Sequence, residues 1–517
     1  MNICIVNTYS HGGAAVAALR QIEALGNQGD SVTFVTKEDV HKGSEEYVFV
    51  KGLSGVSIDR ESISRVVRRL DFIERQRIKN ARSARTNTLF SGSVPDYDLS
   101  EIEAVSKADV VNLHWVSHFL NSRSVNLLIS SGKPVVWTLH DQRTFSGGCH
   151  YMAGCEQFEK ICEDCPQVIG SEKSKVLRNH QDAISDLRKV PIVFACPSRW
   201  LADTFRKSAV FNAELHRVMV IPNSISTDCF APCADKEERR SLRSLLGIPP
   251  DAFSFVAGCV SWDEERKGGR FLYEALVQFA ALQSSGVRDV VLITYGNQGL
   301  DPIPGLEIIH LGNIPSEKAM ADLLRCGDIY LTMTREDNLP NTILESLASG
   351  LPVFSTEVGG VPEMVADNVN GRLIPKDDSE AMCRLMLEAV SSDKVDEWSR
   401  NARSRAVSEY SFHVQAARYK EAYEESIQQF EEWKSSKGFI SEERGDPTYV
   451  RVVEDLLGGM AVLDEMYEKS ESARVNARSE LRSLRGSRVY RVVEAVLRPL
   501  RLLRGIVFGE EGGERKV

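Results

Sequence analysis

The chain has 517 residues, of which 42% are hydrophobic and 26% are charged, and its formal net charge is −10 at pH 7. This composition is ordinary for a globular protein, and the length predicts two or more domains. The acidic total excludes a general electrostatic attraction to nucleic acid. No segment approaches the roughly 20 apolar residues that a membrane-spanning helix needs.

The chain begins with a strand-like run, NICIVN, and shows no pattern of a secretory signal peptide. We therefore expect a cytoplasmic protein. In that compartment the 11 cysteines are expected to be reduced thiols or metal ligands, because disulfides are rare there.

Short apolar runs alternate with helical patterns almost to residue 430. These runs are NICIVN, ADVVNLHW, PVVWTLH and PIVFACPS, then FSFVAGCVS, DVVLITYG, LEIIHLG, DIYLTMT, PVFSTE and GRLIP. Near-continuous apolar strands separated by helices are typical of parallel sheets covered on both faces. The two sets predict an α/β protein with two doubly wound, Rossmann-like domains and a ligand cleft between them.

The predicted domains are residues 1–222 and 223–430, because a polar segment near 222–240 separates the two sets of strands. The last helix of the second domain, at about residues 411–430, is expected to be able to cross back to the first. Residues 431–517 lack strand patterns and are predicted to be a linker followed by a basic amphipathic helical tail.

Two turns that follow strands have the composition of anion-binding sites. In HGGAA, Gly12 and Gly13 let backbone amides and a helix N-terminus approach a ligand; a plain strand-to-helix turn is an equal alternative. In ERKGG, Arg266 and Lys267 lie between a strand and a helix, where a cation can neutralise a departing diphosphate. A solvated basic pair is the alternative there.

A histidine closes the run PVVWTLHD. His140 falls at the carboxyl end of the predicted strand, which is where ligands bind in open parallel sheets. It can hydrogen-bond a substrate or polarise a reacting centre. A histidine with a purely structural role is the alternative.

The loop after His140 is rich in cysteine. Its members are Cys149, Cys155, Cys162 and Cys165. The Cys-x-x-Cys spacing of the last two favours a structural zinc site, with reduced thiols as the competing interpretation. A separate Asp-x-Asp pair, Asp96 and Asp98, has the spacing of metal-dependent sugar transferases of another fold, but it lies in a polar turn and we set it aside.

The sequence TREDNLPNTILESLASG reads as a loop followed by a helix. Asp337 and Glu345 are eight residues apart, and ionised carboxylates are good acceptors for the vicinal hydroxyls of a sugar and a ribose. Acidic residues that favour the positive end of a helix are the alternative. We expect Pro340 in the first helical turn, with Asn341 or Thr342 as the cap.

The sequence VGGVPEM, from Val358 to Met364, follows the next predicted strand. Its two glycines favour a backbone that approaches a ligand closely. The alternative is a plain loop with a helix that starts at Pro362.

In their order, these motifs resemble the retaining glycosyltransferase family 4, whose fold is GT-B. The sequences that carry the resemblance are HGGAA, TLHD, PSRW, IPNSI, RKG, LGNI, DNLPNTILESLASGLP and VGGVPEMV, and they cover roughly residues 1–430. The family's E-x₇-E motif has aspartate first here, at Asp337. This variant and the cysteine loop look most like enzymes of bacterial exopolysaccharide and colanic-acid-type assembly.

The resemblance implies a role for each candidate residue. His140 and Asp337 would contact the donor sugar, Lys267 would stabilise the leaving diphosphate, and these three would be catalytic. Glu345 would hold the ribose of the nucleotide. The other donor-binding residues would be Gly12, Gly13, Arg266, Asn338, Leu339, Pro340 and Asn341, with Asn313 and Ile314 beside the base. The family has an arginine a few residues before Lys267; here either Arg266 would replace it or that contact would be missing.

The implied reaction moves a hexosyl group from a nucleoside-diphosphate sugar (UDP or GDP) to a saccharide or lipid-linked saccharide, with retention and with no cofactor or metal required for catalysis. The first domain would take the acceptor and the second the nucleotide sugar. Basic stretches at residues 60–86 and 474–504 favour contact with an anionic membrane surface; a solvated or partner-binding helix is the alternative.

Two other functions are weighed against this reaction. One is another GT-B enzyme, such as a sugar-nucleotide epimerase or a phosphorylase. The other is a non-catalytic, membrane-peripheral subunit of a polysaccharide assembly complex. The joint presence of His140, Lys267, Asp337 and Glu345 argues against the second alternative.

Overall fold

The computed structural model of the chain describes residues 1–37, 74–92, 98–100, 102–259, 261–283 and 289–437. The predicted basic stretch at 474–504, residues 60–73 of the other basic stretch and Asp96 lie outside these ranges. Within the described residues, no helix is both long and apolar enough to cross a membrane.

The first sheet has six parallel strands in the order β2-β1-β3-β4-β5-β6. The strands are β1 (Asn2–Asn7), β2 (Ser31–Thr36), β3 (Val110–Leu113), β4 (Val135–Thr138), β5 (Ile192–Cys196) and β6 (His216–Val220). The helices that accompany them are α1 (Gly13–Gly26), α2 (Glu103–Ser106), α3 (Ser122–Ser130), α4 (Glu172–Leu187) and α5 (Arg199–Lys207). The inner strands β3, β4 and β5 are buried along their whole length, as near-continuous apolar runs predict.

The second sheet also has six parallel strands, in the order β12-β11-β10-β7-β8-β9. Its strands are β7 (Phe253–Gly258), β8 (Val290–Tyr295), β9 (Glu307–His310), β10 (Ile329–Thr332), β11 (Val353–Thr356) and β12 (Gly371–Ile374). Its helices are α6 (Lys236–Leu245), α7 (Gly269–Leu282), α8 (Glu317–Leu324), α9 (Asn341–Ala348), α10 (Val361–Met364), α11 (Ser379–Val390) and α12 (Val395–Tyr410). The predicted α/β architecture of two Rossmann-like units is confirmed.

Two strands were not predicted from the sequence, β2 and β6. Both lie at an edge of the first sheet, and both are only partly buried. The search for near-continuous apolar runs misses such strands, because an edge strand with a solvated face carries polar residues at regular intervals.

The last described helix, α13 (Phe412–Lys437), packs against the first sheet although it follows the second in the chain. Tyr423 Oη accepts hydrogen bonds from Gln21 Nε2 (2.7 Å) and Asn112 Nδ2 (3.0 Å). Tyr419 Oη shares a hydrogen bond of 3.0 Å with Thr138 Oγ1. The chain therefore passes from the first sheet to the second after β6 and returns through α13.

Candidate functional site

Two cavities lie between the sheets and share part of their walls. One, of about 390 Å³, is lined by Gly13 and Ala14 after β1, His140 after β4, and the ends of β7 and β10. The other, of about 740 Å³, is lined mainly by residues of the first unit. The carboxyl ends of both sheets thus face one cleft, where ligands bind in open α/β sheets.

The smaller cavity contains a buried carboxylate between two cations. Asp337 is 6% exposed, and its Oδ2 lies 2.7 Å from Lys267 Nζ and 2.9 Å from Arg266 Nη1. Burial raises the pKa of Asp337, but Lys267 and Arg266 outweigh it and hold the pKa well below its ordinary value. The carboxylate is therefore ionised at neutral pH.

These three groups come from two strand-to-helix loops. Arg266 and Lys267 form the 3₁₀ turn Glu265–Lys267 between β7 and α7, and Asp337 lies between β10 and α9. Strands β7 and β10 are neighbours in the sheet. The sheet order, and not sequence proximity, therefore brings together residues about 70 positions apart.

His140 faces the same cleft from the other sheet. Its Nε2 shares a hydrogen bond of 2.9 Å with His114 Nδ1. Burial lowers the pKa of His140 to about 4, although the charge of Asp141 opposes this. His140 is therefore neutral at physiological pH, and it lines both cavities.

Asn338 connects the two units directly. Its Oδ1 accepts from Ser198 Oγ at 2.6 Å, and its Nδ2 donates to the carbonyl oxygen of His140 at 3.1 Å. The side chain is 3% exposed. The loop that carries Asp337 is thus attached to the backbone of His140.

The PSRW and VGGVPEM sequences meet at a second connection between the units. The carboxylate of Glu363 accepts from the backbone N–H groups of Arg199 (2.8 Å) and Trp200 (2.9 Å) at the first turn of α5. Ser198 Oγ accepts from Leu201 N in the same turn, at 3.1 Å. An acidic residue of one unit therefore caps a helix of the other.

The two glycines of VGGVPEM approach protein backbone where a ligand was expected. A Cβ added to Gly359 would lie 1.9 Å from the carbonyl oxygen of Asp337, and one on Gly360 equally close to that of Asn338. Gly360 N also donates to Asp337 O at 3.1 Å. Their small size permits the packing that supports the Asp337 loop.

Glu345 makes a contact that the sequence did not indicate. Its Oε1 lies 2.8 Å from Arg20 Nη2, on α1 of the first unit. Arg20 is 3% exposed and also pairs with Glu317 on α8. Burial raises the pKa of Glu345, and Arg20 opposes that rise.

Most of the other predicted donor residues line one of the two cavities, and a few line neither. Gly13, Arg266, Asn338, Leu339, Pro340 and Asn341 line the smaller cavity, and Gly12 lines the larger one. Among the described residues that line either cavity, Asn313, Ile314 and Glu345 are absent.

The predicted helix start at Pro340 needs a correction. Pro340 is itself the N-cap, with ψ 122°, and α9 begins at Asn341 without a side-chain cap. The side-chain amide of Asn341 instead contacts the first unit, where its Nδ2 donates a hydrogen bond to the carbonyl oxygen of Gly13 at 3.1 Å.

The four loop cysteines lie in the hydrophobic core of the first unit, three of them buried and Cys155 partly so. Burial raises the pKa of Cys149 far above its ordinary value and that of Cys162 to about 12, so both thiols are protonated at neutral pH without a metal ion. In the described part of the chain no group of three or more His, Cys, Asp or Glu side chains is placed to hold a metal ion. The zinc site remains a prediction from spacing, and no step below uses it.

The cysteine loop contributes a residue that sequence reasoning missed. Tyr151 Oη donates to Asp337 Oδ1 at 3.3 Å, and the guanidinium of Arg266 lies 4.4 Å from the centre of its ring. The only signal was its position in a loop adjoining His140. No signal marked Arg20, whereas His114 falls at the end of the run ADVVNLHW, as His140 does in PVVWTLH.

An aromatic wall borders the larger cavity. The rings of Tyr9 and Trp115 lie 5.9 Å apart, and those of Trp115 and His150 lie 5.4 Å apart. Asp141 Oδ2 accepts from Trp115 Nε1 at 2.8 Å and is 2.6 Å from His150 Nδ1. His150 Nε2 in turn shares a hydrogen bond of 2.6 Å with Ser91 Oγ. The wall is therefore fixed by buried polar contacts.

The sequence of the second unit is similar to that of a known protein family. Residues 254–392 match the family model described as "Glycosyl transferases group 1". This segment, which carries Lys267, Asp337 and Glu345, is therefore similar to the domain that the family model describes.

Two curated relatives come from Escherichia coli. The putative colanic acid biosynthesis glycosyl transferase WcaC is 24% identical over 57% of this chain and 72% of its own length. The UDP-Gal:alpha-D-GlcNAc-diphosphoundecaprenol alpha-1,3-galactosyltransferase is 20% identical over 40% of this chain. The chain spans only 54% of that second relative.

Solved structures show the same fold at low identity. The Anabaena protein HepE, in complex with UDP and glucose, has a TM-score of 0.52 at 15% identity and covers 82% of this chain and 99% of its own. A glycosyltransferase from Rickettsia africae has a TM-score of 0.50 at 16% identity, over 82% of this chain and 98% of its own. The architecture is therefore the GT-B fold.

Proposed function

We propose that this protein is a glycosyltransferase that moves a hexosyl group from a UDP-sugar to a growing, lipid-linked saccharide, with retention of configuration at the transferred carbon. One observation carries the proposal: Lys267 and Arg266 pair with the buried carboxylate of Asp337 where the carboxyl ends of both sheets meet. The names of the galactosyltransferase relative and of the HepE complex support UDP as the nucleotide and, for the relative, a lipid-linked acceptor.

The cluster suits the charges of the reaction. Breaking the bond between the sugar and the diphosphate places negative charge on the diphosphate, which Lys267 and Arg266 would stabilise. The N-terminus of α1, beside Gly13, adds backbone N–H donors from the first unit. We propose that these groups make the reaction independent of a divalent metal.

Positive charge develops on the sugar at the same moment. The ionised carboxylate of Asp337 would stabilise it, while the neutral ring of His140 adds no repulsion. The acceptor oxygen would bond to the sugar carbon on the face that the diphosphate leaves, and the acceptor proton would pass to a diphosphate oxygen. This route gives retention without a nucleophilic side chain.

The larger cavity would take the acceptor. It adjoins the smaller one at His140, Tyr151 and Arg266, which line both. The fixed aromatic wall of Tyr9, Trp115 and His150 offers apolar faces to a sugar ring.

The predicted membrane-surface location rests on sequence alone, because the basic tail lies outside the described residues. Contact of that tail with anionic lipid on the cytoplasmic face would bring the cleft close to a lipid-linked acceptor.

The proposal is tested by nucleotide binding and turnover. UDP at about 100 times its dissociation constant should stabilise the protein by roughly 2.7 kcal/mol, with or without EDTA, and GDP should not. Lys267→Met should lower kcat for release of UDP from UDP-glucose or UDP-galactose by about 100- to 1,000-fold. Lys318→Met is the control, because Lys318 forms an exposed pair with Asp322.

Three results would count against the proposal. UDP binding that EDTA abolishes would contradict metal independence. Full activity of Lys267→Met would remove the assigned role of the cation. The absence of any nucleotide effect would favour a non-catalytic assembly role.

A further inference from the structure

His114 and His140 lie at the ends of adjacent strands. His114 follows β3 directly, and His140 lies two residues beyond β4, its parallel neighbour. The side chain of His114 is buried, with the residue 2% exposed, and its Nδ1 is 2.9 Å from His140 Nε2. The ring centres are 5.1 Å apart. The two imidazoles therefore form a hydrogen-bonded pair in which His140 is the member that reaches the cleft.

The position of the second ring nitrogen of His114 does not stabilise the fold. His114 Nε2 is buried and has no hydrogen-bond partner among the described residues. A buried polar atom without a partner is unfavourable for folding, and an apolar side chain of similar size would avoid that cost. Stability therefore does not explain a histidine here, whereas its bond to His140 does.

One N–H group donates the hydrogen bond between the two rings. Burial lowers the pKa of both rings, so both are neutral at physiological pH. A neutral imidazole carries one N–H, so a proton on His114 Nδ1 makes His140 Nε2 the acceptor and places the proton of His140 on Nδ1. This arrangement leaves His114 Nε2 as an unpartnered lone pair, which is tolerated better than an unpartnered N–H.

Asp141 is the charged group whose field reaches His140, and it acts to raise the pKa of that ring. Its carboxylate is engaged by Trp115 Nε1 and by His150. Among the described residues, no hydrogen bond joins Asp141 to the ring of His140, and the bond to His114 is the contact that can fix the proton of that ring.

We propose that His114 is a positioning residue that fixes the ring of His140. It thereby directs the Nδ1–H of His140 into the cleft, toward an oxygen of the sugar in the sugar nucleotide. This inference rests on the proposed function for its substrate. The orientation of the His140 ring and its tautomer are properties of the protein alone. An N–H held in place before the substrate arrives needs no reorganisation during the reaction.

The first experiment compares His114→Leu with His114→Asn in the full chain. Loss of the bond in His114→Leu should lower kcat for UDP release from UDP-glucose or UDP-galactose by about 10- to 100-fold. The dissociation constant of UDP should change by less than about twofold, because the affected contact is to the sugar side. The amide of His114→Asn can replace the Nδ1 donor and should restore part of the rate. Thermal stability should be unchanged or higher.

His180→Leu is the matched control. His180 is also fully buried, and its Nδ1 accepts a hydrogen bond from Cys162 N at 3.1 Å, so its replacement likewise removes a buried imidazole and one of its hydrogen bonds. It lines neither cleft cavity. A loss of kcat in this control equal to that in His114→Leu would mean that any buried histidine has the same effect, and would overturn the proposal.

Imidazole ¹⁵N NMR tests the tautomer directly. In the wild-type protein, Nδ1 of His140 should have the shift of a protonated nitrogen and Nε2 that of an unprotonated one, and His114→Leu should alter this pattern. A proton on Nε2 of His140, or unchanged kcat in His114→Leu, would overturn the proposal. If UDP fails to bind while the Nδ1 proton is observed, the proposed function fails and the tautomer assignment stands.

Discussion

The two halves of the molecule differ in the ionisable groups that they bury most often. In the half built on the first sheet, burial lowers the pKa of five histidines, namely His114, His118, His140, His180 and His216. In the half built on the second sheet, buried guanidinium groups pair with carboxylates, as Arg243 does with Asp328 and Arg266 with Asp337. At the smaller cavity, His140 therefore presents a neutral imidazole from the first half, and Arg266, Lys267 and Asp337 present charge from the second.

This difference fits the division of the proposed reaction. Charge changes most at the diphosphate and at the sugar carbon, beside Lys267 and Asp337. A neutral donor such as His140 can orient hydroxyl groups without repelling a cationic sugar. The comparison also predicts that the two halves respond differently to acid and to the loss of single ion pairs.

Acidification should separate the two halves most clearly. Because burial lowers the pKa of His140, His180 and His216 to about 4, the unfolded chain binds more protons than the folded chain between pH 6.5 and pH 4. The free energy of unfolding of the first half should therefore fall as pH falls, by on the order of 2 kcal/mol for each histidine at pH 5. Burial raises the pKa of Glu336 and Glu345, so the second half should not lose stability in this window.

Hydrogen exchange measured by mass spectrometry at pH 7 and pH 5, corrected for intrinsic rates, would show this difference. Peptides of the second sheet serve as the internal control. An equal loss of protection in both halves would remove the contrast between them.

Removal of the carboxylate that pairs with a buried guanidinium should strongly weaken the second half. Asp328→Ala leaves the guanidinium of Arg243, which is 1% exposed, without its charge partner. We expect a loss of about 3–5 kcal/mol in urea unfolding. Asp251→Ala is the control, because Asp251 pairs with Arg240 on the surface and should contribute less than about 1 kcal/mol. Equal effects of the two substitutions would show that the pair of Arg243 and Asp328 contributes no more to the free energy of unfolding than the surface pair does.

The smallest expected effect concerns the contact between the halves. Glu363→Ala removes the carboxylate that caps α5 and should cost about 0.5–2 kcal/mol. Faster hydrogen exchange of Arg199 and Trp200 would report the loss. Glu357→Ala, at an exposed position of the same region, should leave both amides unchanged. Unchanged protection in Glu363→Ala would show that the cap does not hold the units together.

Much of the fold was predictable because it depends on local patterns. Apolar runs such as PVVW and DIYLT predicted inner strands, and the loops after them carry His140 and Asp337. The edge strands β2 and β6 were not predicted, because one face of each is solvated. The helix start at Asn341 escaped because Pro340 adopts an extended ψ as the N-cap, which composition does not reveal.

Several contacts of the site depend on how the sheets pack. Arg20 and Glu345 are 325 positions apart, and Ser198 and Asn338 are 140 apart. No periodicity or spacing connects such residues. The glycines of VGGVPEM were recognised as sites of close approach, but only the structure shows that they approach the backbone of Asp337 and Asn338.

The sequence by itself determined two parallel sheets and placed His140, Lys267 and Asp337 in loops at strand ends, because strand and helix patterns are local. Tertiary structure decided which groups meet. It paired Lys267 with Asp337 through the order of β7 and β10, joined His140 to His114 across β3 and β4, and returned α13 to the first sheet. The physical reason is that sheet order and domain packing minimise the free energy of the whole chain, so no single segment encodes the contacts they create.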